Sequence, residues 1–280
     1  EGLNIIENFE TNKMGPNSAS FVHLFAEALQ RGHMDRSRFM GDPAFYNVPI
    51  EKIISKQRAE SLAKDINLKL VTKSESINPE SLFNEGENTT HYSIIDNDGN
   101  VVSNTYTLGY SFGSGVTIPG TGILLNNQMN NFAYQHGNPK IIDRSASIGN
   151  RFEPGKRPMS TMSPIIVFDK NDSIKLITGS PGGALIPAAI LRVVTGVIDF
   201  NLNLGEASML PRIHKDWPYE NLLLERGFSK DTHNLLESYG HKIVESKTMG
   251  STQSILISSK GVEGFADLRR PNAGVAIQND

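Results

Sequence analysis

Asn88-Thr89-Thr90-His91-Tyr92-Ser93-Ile94-Ile95, then Asp96-Asn97-Asp98-Gly99-Asn100, then Val101-Val102-Ser103-Asn104-Thr105-Tyr106-Thr107 is the stretch whose reading decides the fold. Tyr92 and Ile94 on one side and Val102, Thr105 and Thr107 on the other read as two strands, and Asn97-Asp98-Gly99-Asn100 is turn chemistry, so a β-hairpin is expected. Upstream, Lys73 to Asn88 is polar and aperiodic, the pattern of an exposed linker. Further upstream, Asn17 or Ser18 can cap a helix on which Phe21, Leu24, Phe25, Ala28 and Leu29 recur at i, i+3, i+4, i+7 and i+8. A second helix is expected after Pro49, with Ile53, Ile54, Leu62 and Ile66 facing inward.

Downstream, strands are expected near Pro164 to Phe168 and Ile174 to Thr178, around a turn at Lys170-Asn171-Asp172. Gly179-Ser180-Pro181-Gly182-Gly183 then leads into a helix from Leu185 to Ile198. A helix over Asp231 to Tyr239 and strands near Ile243 and Ser254 to Ile257 complete the pattern. Helices together with hairpin-paired strands, without an internal repeat, define a layered α+β class.

Composition excludes several functions. The 280 residues hold 27 Lys+Arg against 30 Asp+Glu, a net charge of −3, so nothing favours nucleic acid or an anionic membrane as partner. With 0 Cys, disulfides, thiol nucleophiles and thiolate-bound zinc are ruled out. The longest apolar stretch, Ala188 to Phe200, is shorter than the roughly 20 residues of a membrane helix and is broken by Arg192, Thr195 and Asp199. Glu1 is not Met, and Glu1 to Glu10 lacks the basic and apolar regions of a signal peptide, so a piece of a longer product is expected. Gly-x-Ser-x-Gly, His-Glu-x-x-His and a Walker phosphate loop are absent, and the 7 His are scattered, so no metal is expected.

The hydroxyl residue at the junction of linker and strand is the chemical signal. A threonine hydroxyl is a weak nucleophile at neutral pH. If the chain were cut between Asn88 and Thr89, the new α-amino group, with an ordinary pKa of about 8, could take its proton. Gly182 and Gly183, after a strand and before a helix, are suited to present backbone N–H groups to a developing oxyanion.

Five segments in order carry a resemblance: Thr89-Thr90-His91-Tyr92-Ser93, Gly122-Ile123-Leu124-Leu125-Asn126-Asn127-Gln128-Met129, Lys156-Arg157-Pro158-Met159-Ser160-Thr161-Met162-Ser163-Pro164, Thr178-Gly179-Ser180-Pro181-Gly182-Gly183 and Met249-Gly250-Ser251-Thr252-Gln253-Ser254. They resemble the motifs of the γ-glutamyltransferase (γ-glutamyltranspeptidase, glutathione hydrolase) family. The resemblance implies an N-terminal nucleophile hydrolase fold, a four-layer αββα sandwich of which only part would be present here. It implies self-cleavage at Asn88-Thr89, with residues 1–88 as the C-terminal tail of a large subunit and 89–280 as the small catalytic subunit.

By the same resemblance Thr89 matches the nucleophile and Thr107 the threonine that orients it. Gly182 and Gly183 match the oxyanion hole, Ser160 and Thr161 the hydroxyls that bind the substrate α-carboxylate, and Gln128 a residue near the substrate α-amino group. Gly109 stands where the family has an asparagine, and Asn131 where it has an aspartate contacting the ammonium. Ile142 occupies the position of a gating tyrosine in a lid from Phe132 to Pro158, and the arginine that clamps the α-carboxylate belongs to the part of the large subunit not in this chain. The implied partners are γ-glutamyl substrates of the glutathione type, water or an amine as acceptor, and the rest of the large subunit; no cofactor is implied. A periplasmic or extracellular site is the family expectation. The losses at 109 and 131 keep a glutaryl-type (cephalosporin) acylase open as a rival, and an unprocessed inactive fragment as another.

Overall fold

The computed structural model describes residues 1–74, 89–133 and 147–278. By contacts they form two compact units, one built from residues 1–74, 128–133, 147–160 and 213–247, the other from 89–127, 161–212 and 248–278. The first unit draws on both sides of the 88/89 junction, and the described residues of the second all follow it.

In the first unit, α1 (Gly2–Ile6) precedes the long α2 (Ala19–Phe39), where Ser18 is the N-cap and its hydroxyl accepts from the Phe21 N–H. Phe21, Leu24, Phe25 and Ala28 of α2 are all fully or almost fully buried, which is the stripe read from the sequence. The single helix expected after Pro49 is two: α3 (Ile50–Ile53) and α4 (Lys56–Lys64). Ser55 ends one and caps the other by accepting from the Arg58 N–H, so the phase shifts. Ile53 and Ile66 stay buried, Ile54 is exposed, and Ala59 and Ala63 supply the inner face instead. At the start of the expected exposed linker Ser74 is buried, bonded to Gln30 and Glu220; residues 75–88, Asn88 among them, lie outside the described residues. A three-stranded sheet completes the unit: β5 (Ile213–Lys215) runs antiparallel to β6 (Asn221–Leu224), which reaches the parallel β7 (Lys242–Glu245) through α7 (Lys230–Ser238).

The second unit holds the hairpin β1 (Thr89–Ile95) and β2 (Val101–Thr107), in the expected place. Its turn is secured by Asp96, whose Oδ1 accepts from the Asp98 and Asn100 N–H groups, and by Gly99 at φ +83°. An antiparallel sheet follows, ordered β3 (Ile165–Phe168), β4 (Ile174–Thr178), β8 (Gln253–Ser258) and β9 (Gly261–Ala266). One face of this sheet, through Leu176 and Leu256, packs on Ile186, Ile190, Val193 and Val197 of α5 (Ile186–Ile198) and on Leu204 and Ala207 of α6 (Leu204–Met209). Arg192, which breaks the apolar stretch, is itself fully buried and donates Nε to the Pro211 carbonyl at 3.1 Å. No helix among the described residues is long and apolar enough to cross a membrane.

The hairpin stacks on β4 and β8 through small polar groups. Ser93 Oγ donates to the Gln253 carbonyl at 2.9 Å and Ser103 Oγ to the Thr178 carbonyl at 3.1 Å. The inward face carries Thr89, His91, Ser93, Ser103 and Thr105, whereas Tyr92, Ile94, Val102 and Tyr106 are exposed on the other. Helices, a sheet and a second sheet thus follow one another in this unit, the α+β layering expected.

Candidate active site

Strand pairing places Thr89 directly opposite Thr107, with Thr89 only 3% exposed. Opposed residues in an antiparallel pair have Cβ atoms about 5 Å apart, within reach of a hydroxyl. Thr107 Oγ1 accepts from the Gly109 N–H at 2.9 Å, and Gly109 sits at φ +93°, a left-handed turn that lets the chain double back onto that oxygen. The Thr89 carbonyl accepts from Arg270 Nη1 at 3.1 Å. Both hydroxyl residues therefore have fixed main chains.

The glycine-rich turn lies at the same end of the layered sheets. A Cβ on Gly179 would collide with the ring of His91, two residues from Thr89 on the same inward face. Gly182 has φ +135° and Gly183 φ +56°, both in the region that favours glycine, and they lead through one turn of 3-10 helix into the N-terminus of α5. Their N–H groups are at the positive end of a helix dipole, where negative charge is stabilised. The turn is braced from the Met249–Gln253 segment: a Cβ on Gly182 would lie 3.2 Å from the Gly250 Cα, and Ser180 Oγ accepts from the Ser251 N–H at 2.9 Å while donating to the Pro181 carbonyl at 2.6 Å. Behind it, the fully buried Asp267 accepts from the Thr252 N–H and pairs with Arg212 at 2.9 Å and Arg269 at 3.0 Å. Burial alone would raise the Asp267 carboxyl; the two guanidiniums more than offset it and hold it below the usual carboxylate range.

His91 fixes the inner face. Its Nε2 meets Ser93 Oγ at 3.1 Å and its Nδ1 meets Thr105 Oγ1 at 2.7 Å. Since Ser93 already donates to Gln253, its oxygen accepts from Nε2–H, and Nδ1 accepts from Thr105; this tautomer is assigned from the network. Burial pushes the His91 pKa down to about 4, against about 6.5 in an unfolded chain. As pH falls, the unfolded state takes the proton first, so the stability His91 contributes is complete above about pH 6.5 and is eroded as pH drops through about 4. Between about pH 7 and 4.5 the expected loss is about 2 to 3 kcal/mol, and His91→Gln, followed by urea unfolding at both pH values, should shrink it by that amount.

The remaining residues expected to recognise substrate divide between the units. Thr161, whose carbonyl accepts from Ser163 Oγ, leads into β3 in the second. Gln128, Asn131 and Ser160 belong to the first. Gln128 and Asn131 open and close one 3-10 turn, Gln128–Asn131, and Asn131 Nδ2 donates to Gln128 Oε1 at 2.6 Å. Ser160 lines a cavity of about 250 Å³ with Arg36, Met40, Asp42 and Arg157. Asp42, which the sequence analysis did not single out, anchors this segment: it accepts from Arg157 Nη2 at 2.7 Å, Nε at 3.1 Å and N–H at 2.9 Å. These bonds, side-chain first and then backbone, hold its carboxyl far below the ordinary range. Ile142 lies outside the described residues. Among the described residues no group of three or more His, Asp or Glu could hold a metal ion.

A threonine at the head of an inner strand, a helix-backed sheet beneath it and a glycine turn entering a helix agree with the N-terminal nucleophile hydrolase fold that the resemblance implies. Comparison with known proteins narrows the class. The family profile Gamma-glutamyltranspeptidase matches residues 1–277. The glutathione hydrolase proenzyme of Escherichia coli (strain K12) is 43% identical over 269 residues, covering 95% of this chain and 46% of that protein. The chain belongs to the γ-glutamyltranspeptidase family and spans less than half the length of that relative. Two solved structures bracket it. Cephalosporin acylase from Bacillus halodurans is 27% identical with TM-score 0.83, over 100% of this chain and 48% of that one. Gamma-glutamyltranspeptidase from Pseudomonas nitroreducens complexed with L-DON is 35% identical with TM-score 0.59, over 68% of this chain and 100% of that one.

Proposed function

We propose that this chain carries the small catalytic subunit, residues 89–280, and the C-terminal tail of the large subunit, residues 1–88, of a γ-glutamyl amide hydrolase or transferase with Thr89 as nucleophile. The observation that carries the reading is the in-register Thr89–Thr107 pair on a hairpin face whose His91 packs against Gly179 at the start of the glycine-rich turn. The solved chain from Pseudomonas nitroreducens is matched in full by 68% of this one, about the share that residues 89–280 make up, which supports the subunit boundary. Cleavage of Asn88-Thr89 releases an α-amine. That amine takes the Thr89 hydroxyl proton, and the oxygen attacks the γ-carbonyl of a glutathione-like substrate. The Gly182 and Gly183 N–H groups receive the oxyanion, an amine leaves with the proton, and the γ-glutamyl ester passes to water or to an acceptor amine. Family likeness supports a periplasmic or extracellular location.

A glutaryl-type acylase is the second reading, favoured by Gly109, which offers no side chain to an α-amino group, and by the acylase fold neighbour. Paired γ-glutamyl and glutaryl anilides test the two, since they differ only in the α-amino group. N-terminal analysis of every polypeptide in the preparation tests maturation, and Thr89 at a terminus is the expected result.

Asn131 sharpens the comparison. In Asn131→Asp, Gln128 can turn its amide to donate to the new carboxylate, and a substrate ammonium then meets a charge instead of a neutral amide. In the processed enzyme kcat/KM for the γ-glutamyl anilide should rise about 5- to 30-fold, ~1 to 2 kcal/mol, and that for the glutaryl anilide should fall, because the carboxylate would stand unpaired. An unchanged ratio would remove Asn131 from the α-substituent site.

A further inference from the structure

Asn150 ends the short 3-10 turn Ile148–Asn150 and is 0% exposed. Its Nδ2 donates to the Asn131 carbonyl at 2.7 Å, and its Oδ1 accepts from the Met159 N–H at 3.0 Å. Its own carbonyl accepts from the Ala133 N–H at 3.0 Å. One buried carboxamide thus spends its two ends on two different segments, 19 residues away on one side and 9 on the other. One segment carries Gln128 and Asn131. The other runs through Met159 into Ser160. Each bond goes to main chain, so side-chain changes in either segment leave it in place, and a buried amide with both ends satisfied has a single orientation.

We infer that Asn150 is the positioning residue that sets the spacing between the α-amino and α-carboxylate subsites, and that it thereby determines selectivity for an amino-acid head group. The inference rests on the function proposed above. A γ-glutamyl donor must engage both segments at once. A glutaryl donor has only the carboxylate and engages one, so it does not sense their separation. A loosened spacing weakens a contact that is made in the ground state and the transition state alike, so the loss is expected in KM and not in kcat.

The test uses the full-length, processed enzyme. Asn150→Asp keeps the size and the acceptor for the Met159 N–H but sets a carboxylate oxygen against the Asn131 carbonyl; Asn150→Ser removes both bonds without adding charge. Active sites are titrated by acylation, so that only folded, processed molecules are counted. In both variants KM for the γ-glutamyl anilide should rise about 10-fold or more with kcat per titrated site within about threefold, while KM for the glutaryl anilide stays near the parent value. A ratio of the two KM values that does not move, or a parallel loss on both substrates that follows a lowered Tm, overturns the inference. A parent enzyme that acylates with neither anilide overturns the functional reading instead, and this inference with it.

Discussion

Thr89→Ala in the full-length polypeptide is expected to leave a single uncut band on a denaturing gel and to abolish turnover of both anilides. In the proposed mechanism two steps fail together, because the same oxygen would attack the preceding peptide bond and later the substrate amide. Nucleophilic assistance supplies a large fraction of the barrier reduction, and the loss should exceed about 10⁴-fold, leaving only what oxyanion contacts and binding provide. Thr89 is buried and its carbonyl is held by Arg270, whereas the change removes only the hydroxyl and the γ-methyl, so the fold should persist and Tm should change little. Thr89→Ser, which restores the hydroxyl without the methyl, should process slowly and recover part of the activity. An Ala variant that still yields two chains would show that another group cuts the junction. An Ala variant that stays uncut yet hydrolyses a γ-glutamyl anilide would remove both Thr89 and its terminal amine from the chemistry.

The second large effect is expected at the glycine turn. Gly183→Val should lower kcat by about 100-fold or more with a smaller change in KM, since a misaimed donor is lost in the transition state more than in the ground state. At φ +56° a β-branched side chain is strained, and part of the damage could come from the backbone. Gly183→Asn separates the two causes, because asparagine adopts this region with less strain: it should keep most of the Tm and, if the donor direction is retained, more of the kcat than Val. A normal kcat for Gly183→Val would take this turn out of the mechanism. At Gly182, where φ is +135° and the Gly250 backbone is 3.2 Å from a would-be Cβ, any side chain should cost stability and rate together, so Gly183 is the cleaner probe.

Residues 89–107 were legible because every signal in them is local. A turn of Asn, Asp and Gly between β-favouring runs specifies a hairpin within reach of its own hydrogen bonds, and once the turn is placed the opposition of Thr89 and Thr107 follows from register alone. The Ser18 cap, the apolar stripe of α2 and the Gly-rich entry to α5 were equally local. The break at Ser55 was missed since an apolar pattern continued through it, and only the cap bond to Arg58 shows the helix restarting in a new phase. Strand β5, three residues long, and helix α6, six residues long, were also missed, being too short to present a period.

The sequence by itself determined the α+β class, the family, the hairpin and the identity of the hydroxyl and glycine residues at one end of it. Only the tertiary structure decided what holds them there. Asp42 on Arg157, Asn150 between Asn131 and Met159, Ser180 on Ser251 and Asp267 on Arg212 join residues from 9 to 115 positions apart. Such pairs leave no period and no local pattern, because a carboxylate or carboxamide looks the same in sequence whether it faces water or a buried partner. Its energetic weight appears only when folding removes the water and leaves one protein group able to satisfy it.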